Sequence, residues 1–305
     1  MVKLCEIKDK DELVNYYKFN TLDLPSKEEL QHEWQLIKDN EHGYESHSSW
    51  NKLIKAFQFA EFYKHELRLW RDNKLYKGLP LQAWLYRNRL KYIGKGYGQL
   101  TQTEVLRGFK IAGIHIGYSF HSPFYIKQFI KDFDIKSIYD PCGGWGHRLL
   151  GAASTNCSYI YNDVNATTAS NCLDLAAFID YNLLGFYCED AASLTPKEDY
   201  QAVFTCPPYH NVEVYSTKGS ENLSYIDFLT WWKHVIESSC INKKSCKYFA
   251  FIINHTYEKD MTQECINAGL QLIETHILGS TKAKSHLTYG TNQQKYEKLL
   301  IFSKI

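Results

Sequence analysis

Two short stretches of this 305-residue chain hold residue types that could do chemistry. In the first, FTCPPYHN at 204–211, two consecutive prolines end the apolar run QAVF. A strand should break there at a stiff turn, because proline fixes φ and supplies no N–H donor. The turn carries the hydroxyl of Thr205, the thiol of Cys206, Pro207, Pro208 and the ring of Tyr209, followed by a histidine and an amide. Such a set can hold a flat polar substrate against an aromatic face. A cysteine there can also be a nucleophile, provided its surroundings favour the thiolate.

The second stretch, KSIYDPCGGWGHRLLGAAS at 136–154, runs from a strand through an acid into a glycine-rich turn and then a helix. Asp140, Pro141, Cys142, Gly143, Gly144 and Gly146 form a loop whose missing Cβ atoms would let a ligand approach the backbone. Open α/β sheets place ligands at such carboxyl ends of strands. A second strand, SYIYND, ends in Asp163, 23 residues after Asp140. An acid at about that distance is placed to accept from ribose hydroxyls. A third strand closes on Glu189 and Asp190, and either Asp190 or Glu189 could accept from an exocyclic adenine amine. One acid after a strand is an ordinary turn or cap. Three successive strand ends with acids, the first followed by a glycine loop, point to a ligand.

These features fit either a nicotinamide enzyme or a methyltransferase. The loop lacks the G-x-G-x-x-G spacing that receives a pyrophosphate, and an acid at the strand tip would repel one. It suits a cationic ligand with a free amino group, such as S-adenosylmethionine.

Together, D-P-C-G-G-W-G followed by T-C-P-P-Y resembles the cofactor and catalytic motifs of exocyclic-amino DNA methyltransferases, which make N4-methylcytosine or N6-methyladenine. The resemblance covers roughly residues 115–305. It implies S-adenosyl-L-methionine as cofactor, DNA as partner with RNA second, and room for a cognate restriction endonuclease. An aromatic amine is a poor nucleophile, its lone pair being delocalised into the ring. By resemblance, the polar residue before the prolines and a turn carbonyl hold its hydrogens, while Tyr209 stacks on a base flipped from the duplex. Stacking of that kind is worth about 1–3 kcal/mol.

The sequence departs from the family at Cys206, where Asp, Asn or Ser is usual and sulfur accepts only weakly. The nearest family form, T-S-P-P-Y, belongs to N4-cytosine enzymes and favours cytosine. Thr205 could supply polarity or point away. Attack by Cys206 on a pyrimidine ring carbon is the rival chemistry, although 5-methylcytosine enzymes place the cysteine after proline. The class also puts a pocket-closing segment at HSPFYIKQFI, 121–130, making Ser122, Pro123 and Phe124 candidates; a plain helix start explains them too. Glu213 and Tyr215 are candidates for the base pocket, His147 and Arg148 for surface or phosphate contacts, and Lys282, Lys284 and His286 for a basic loop near DNA.

The elements that must position these groups fall into two regimes. Residues 1–112 read as helical, from SKEELQHEWQLIKDN, with Ser26 and Glu29 as a capping box, through WNKLIKAFQFAEFYKHELRLWRDN, with IGKGYGQL at 93–100 as a linker or backbone clamp. Residues 113–305 alternate strands and helices. The strand candidates are KSIYD, SYIYND, GFYCED, QAVFTCP, KYFAFIIN, LQLIETHIL and KLLIFSK. This predicts a Rossmann-like methyltransferase sheet, mostly parallel, with a C-terminal antiparallel hairpin.

The net charge of +1 hides an uneven distribution. Residues 1–50 carry 6 Lys against 11 acids, whereas 51–110 carry 13 Lys or Arg against 4. A +9 segment is the distribution expected of a region lying against phosphates, with a solvated helical surface as the plain alternative; on the first reading, DNA grip and target recognition fall to the N-terminal region. The nine cysteines show no C-x-x-C pairs, which argues against zinc knuckles and for reduced core residues. No apolar stretch approaches the roughly 20 residues of a membrane span, and the charged start is unlike a secretory signal. A soluble, cytoplasmic protein is expected. The rivals to a DNA enzyme are an RNA or protein amino-methyltransferase and a non-catalytic nucleic-acid-binding protein with a degraded site.

Overall fold

Seven apolar runs become the seven strands of one sheet: β1 Ser137–Asp140, β2 Ser158–Asn162, β3 Gly185–Tyr187, β4 Ala202–Thr205, β5 Tyr248–Asn254, β6 Leu270–Leu278 and β7 Glu297–Lys304. The computed structural model describes residues 25–45, 51–58, 121–208, 223–278 and 297–304, with the backbone of 75–76 and 79–80. Each expected strand lies where its sequence placed it. The sheet order is β3-β2-β1-β4-β5-β7-β6. The first five strands run parallel, and β7 is antiparallel to both β5 and β6. The expected hairpin partners, β6 and β7, do pair, but β7 is inserted between β5 and β6.

The central strands are apolar throughout because both of their faces are covered. Successive side chains alternate between two cores. Ile138, Ala202, Phe204, Ala250 and Ile252 face one; Tyr139, Val203, Phe249, Phe251 and Ile253 face the other. The first core is closed by α3 (Pro123–Asp132), α4 (His147–Ala153) and α5 (Ala166–Phe178). The second is closed by α6 (Tyr225–Ile236) and α7 (Glu258–Asn267), with Trp232 of α6 fully buried against Phe249 and Phe251.

Two further helices, α1 (Lys27–Asp39) and α2 (Lys52–Phe57), pack on the first core through Leu30, Ile37, Leu53 and Ile54. The expected capping box opens α1: Ser26 Oγ accepts from the Glu29 amide at 3.2 Å and the Ser26 amide donates to Glu29 at 2.9 Å. Buried charges fasten the other ends. Glu33 accepts the amides of Lys52 (3.1 Å) and Leu53 (2.7 Å), capping α2 from outside. Lys127 of α3 donates to the carbonyls of Ile37, Lys38 and Asn40, covering orphan acceptors at the end of α1.

The chain divides into two units, one of residues 1–24 with 59–119 and the other of 25–58 with 120–305. In the first, Leu75–Tyr76 pairs antiparallel with Leu79–Pro80. Residues 25–58 thus group with the sheet. The boundary expected near residue 112 lies outside the described residues, as do most of the +9 segment and the glycine stretch 93–100. Among the described residues, no helix is long and apolar enough to cross a membrane.

Candidate active site

Strand order reverses at β1, which has β2 on one side and β4 on the other, all parallel. The glycine loop after β1 and the proline turn after β4 therefore open on the same edge, at the switch point where open α/β sheets place ligands.

The glycine loop is built by its neighbours. The Gly143 amide donates to the Asn162 carbonyl at 2.6 Å, the Gly144 amide to Asp163 Oδ2 at 2.8 Å, and Tyr161 Oη to the Gly144 carbonyl at 2.7 Å. A Cβ on Gly143 would stand 2.3 Å from the Tyr161 ring, and one on Gly146, at φ +99°, would stand 2.8 Å from Leu175. The sequence alone suggests glycines placed for ligand approach. In the structure it is the chain's own packing that requires them at 143 and 146.

Asp140 is fully buried and engaged on both oxygens. Oδ2 accepts from Arg148 Nε and Tyr159 Oη, each at 2.5 Å; Oδ1 accepts from Thr205 Oγ1 at 2.9 Å and the Cys142 amide at 3.2 Å. The carboxylate expected to meet a ligand's amino group is thus occupied by the protein itself. Two other readings are corrected. Arg148 and His147 are buried, not surface residues: Arg148 pairs with Asp140, and His147 Nε2 lies 3.3 Å from Asn51 Oδ1. Burial also pushes the His147 pKa well down, favouring the neutral ring. Thr205 points away from the turn, towards Asp140.

Asp163 is half-buried just beyond β2. Each oxygen takes one amide, from Asn165 at 2.9 Å and Gly144 at 2.8 Å, which leaves acceptor positions unused. Burial raises its pKa to about 6, against the lowering effect of those two amides. Glu189 and Asp190 are exposed beyond β3. Asp190 Oδ1 accepts from Trp231 Nε1 at 2.8 Å and the Ala192 amide at 3.0 Å.

Sequence reasoning missed Asn162. Fully buried at the end of β2, it donates to the carbonyls of Pro141 (2.9 Å) and Glu189 (3.0 Å) and accepts the Glu189 amide (3.0 Å), joining three strand tips. Its signal was an amide closing an apolar strand, overshadowed by the adjacent acid. His121, also missed, is buried with Nδ1 3.6 Å from Glu297 Oε2, and burial lowers its pKa.

Within the turn, Pro207 is buried, while Cys206 and Pro208 are partly exposed, with Cys206 packing between the two cores. Burial, reinforced by Asp140 and Asp163, pushes the Cys142 thiol pKa well up, which disfavours it as a nucleophile. Ser122 is the cap of α3, accepting the Phe124 amide at 3.3 Å. Phe124 is buried with its ring edge-on to His42, so the helix start accounts for both. Tyr209, Glu213, Tyr215, Lys282, Lys284 and His286 lie outside the described residues. Among those described, no cluster of His, Cys, Asp or Glu could hold a metal ion, and the cysteines are unbridged.

The sheet is a Rossmann-like one, five parallel strands closed by an antiparallel C-terminal pair with the seventh strand reversed. No protein-family model matches the sequence and no curated protein resembles it significantly. Among solved structures, the chain is similar to the hMettl16 catalytic domain in complex with MAT2A 3′UTR hairpin 1, at 12% identity and TM-score 0.45 over 73% of this chain and 90% of that one. It is also similar to magnesium protoporphyrin IX methyltransferase (ChlM) from Synechocystis PCC 6803 with bound SAM, at 9% and 0.42 over 72% and 91%. A third is an S-adenosylmethionine-dependent methyltransferase from Clostridium acetobutylicum ATCC 824, at 10% and 0.42 over 59% and 89%.

Proposed function

We propose that this chain is an S-adenosylmethionine-dependent methyltransferase acting on the exocyclic amine of a nucleic-acid base, with cytosine N4 in DNA as the first target and adenine N6 the second. The observation that carries the reading is the pairing of a glycine loop and a T-C-P-P turn on adjacent parallel strand tips, joined through Asp140 and Thr205. The donor chemistry fits the cofactor. Asp163 has acceptor positions left for ribose hydroxyls, and Glu189 and Asp190 are exposed acids at the next tip. Arg148 is neutralised by Asp140, so it gives a pyrophosphate little to bind.

When bound, the cofactor supplies an electrophilic methyl on a sulfonium. The chain's part is to hold the acceptor amine in line and to keep the turn from yielding. Pro207 and Pro208 fix the backbone, leaving carbonyl oxygens as acceptors for the amine hydrogens. Cys206 occupies the position of the family's polar residue with a weak acceptor, so more of that task falls to the backbone. The basic stretch 51–110 is assigned to phosphate contact, and recognition to the part of residues 1–112 that does not group with the sheet, since 25–58 do.

The test is methyl transfer from labelled cofactor to DNA and to RNA, with nucleosides identified after digestion. N4-methylcytosine from DNA supports the proposal in full, and N6-methyladenine supports its second form. Label confined to RNA would overturn the DNA assignment. Cofactor binding without transfer to either would favour a non-catalytic binding protein.

A further inference from the structure

We infer that Thr205, Asp140 and Arg148 are positioning residues, a buried charge-neutral network that holds the turn after β4 in register with the glycine loop after β1 so that methyl donor and acceptor meet in line; this rests on the methyltransferase reading. Three observations carry it. First, the backbone pairing of β1 with β4 ends at Tyr139 opposite Val203. Beyond that pair the sheet ladder no longer fixes the two loops against each other, although both loops must act on one transferred methyl group.

Second, the side chains that take over are reciprocal. Thr205, the last residue of β4, reaches Asp140, the last residue of β1, at 2.9 Å. Arg148 grips the same carboxylate at 2.5 Å and also donates through Nη2 to the Cys142 carbonyl in the glycine loop. Asp140 itself accepts the Cys142 amide at 3.2 Å. One carboxylate thus fixes the direction in which the loop leaves β1 and the position at which the turn leaves β4.

Third, the network is a poor device for stability alone. Asp140, Thr205 and Tyr159 are 0% exposed and Arg148 6%. Burying such a pair costs desolvation that a packed apolar set avoids, whereas conformational specificity is a return that buried polar groups give in some proteins. An ionised carboxylate has about four acceptor positions. Four residues donate to this one through five hydrogen bonds, so none is left to contact a ligand directly.

Thr205→Val removes the hydroxyl at nearly constant shape and is the first probe. With the full chain, kcat should fall about a hundredfold, the scale of a small misplacement of reacting groups, while cofactor affinity holds. Amide exchange should rise about tenfold, the equivalent of one lost buried hydrogen bond, both at Cys206 and in the glycine loop 142–146, which the substitution does not touch in sequence. Thr205→Ser should restore both readouts. Unchanged kcat, or exchange rising at the turn while the glycine loop stays protected, would overturn the inference. If Thr205→Val does not fold, Arg148→Lys replaces it under the same readouts, keeping the charge but losing the fork that spans Asp140 and Cys142. A coupled exchange change in a chain that transfers no methyl group would leave the network standing and count against the methyltransferase reading instead.

Discussion

Replacing Asp163 with Asn keeps the size of the side chain and removes its charge, and the proposed cofactor site should register that loss directly. The two carboxylate oxygens each hold one amide, from Asn165 and Gly144, and have acceptor positions left for the two ribose hydroxyls. A hydrogen bond to a charged acceptor is worth about 1 kcal/mol more than one to a neutral acceptor. Two such bonds give about 2 kcal/mol, or roughly a thirtyfold rise in Kd for S-adenosylmethionine. Titration calorimetry on the full chain measures this. pH supplies a second axis, because burial raises the Asp163 pKa to about 6. If the ionised form is the one that binds, affinity at pH 5 should be about tenfold below that at pH 7, and Asp163→Asn should lose that dependence. Stability of the apoprotein runs the opposite way. The folded chain holds this proton above the unfolded value of about 4, so this group's contribution is lost as pH rises from there through about 6. An Asn variant with unchanged Kd, or a wild-type Kd flat between these pH values, would refute the placement of the ribose.

Three other perturbations test separate parts of the account. Glu33→Ala strips the cap from α2, where Leu53 and Lys52 donate to it; urea unfolding should show a loss of about 1–2 kcal/mol, and an unchanged midpoint would show that the cap contributes nothing. Gly143→Ala drives a Cβ into the Tyr161 ring and should cost about 1–3 kcal/mol by overpacking; Tyr161→Ala in the same chain should recover part of that loss, and additive effects would contradict the contact. DNA affinity should fall steeply between low and physiological salt as phosphate contacts release counterions; a salt-independent affinity would remove the +9 segment from the interface.

The sheet was legible because parallel strands covered on both faces must be apolar throughout, so KYFAFIIN and QAVFT stand out without any partner being known. The position of β7 between β5 and β6 was not legible, since pairing order depends on contacts far apart in sequence. The site divided in the same way. Residue types at strand tips, Asp140, Asp163 and the proline turn, announced where a ligand could lie. Their division of labour did not show, because it depends on burial: Asp140 looks like any exposed strand-end acid until Arg148, eight residues on, turns back onto it. Gly143 had a second reason that the sequence did not show. A missing Cβ makes room, but only the neighbouring strand reveals that Tyr161 occupies it.

Nucleoside mass spectrometry on DNA incubated with S-adenosylmethionine and either the wild-type chain or Cys206→Ser tests the central claim most directly. If the turn holds an exocyclic amine, the product is N4-methylcytosine, or N6-methyladenine in the second form of the proposal, and the serine variant makes it at an equal or greater rate, because a hydroxyl accepts better than a thiol. A 5-methylcytosine product that disappears in the serine variant would contradict the account and make Cys206 a covalent nucleophile.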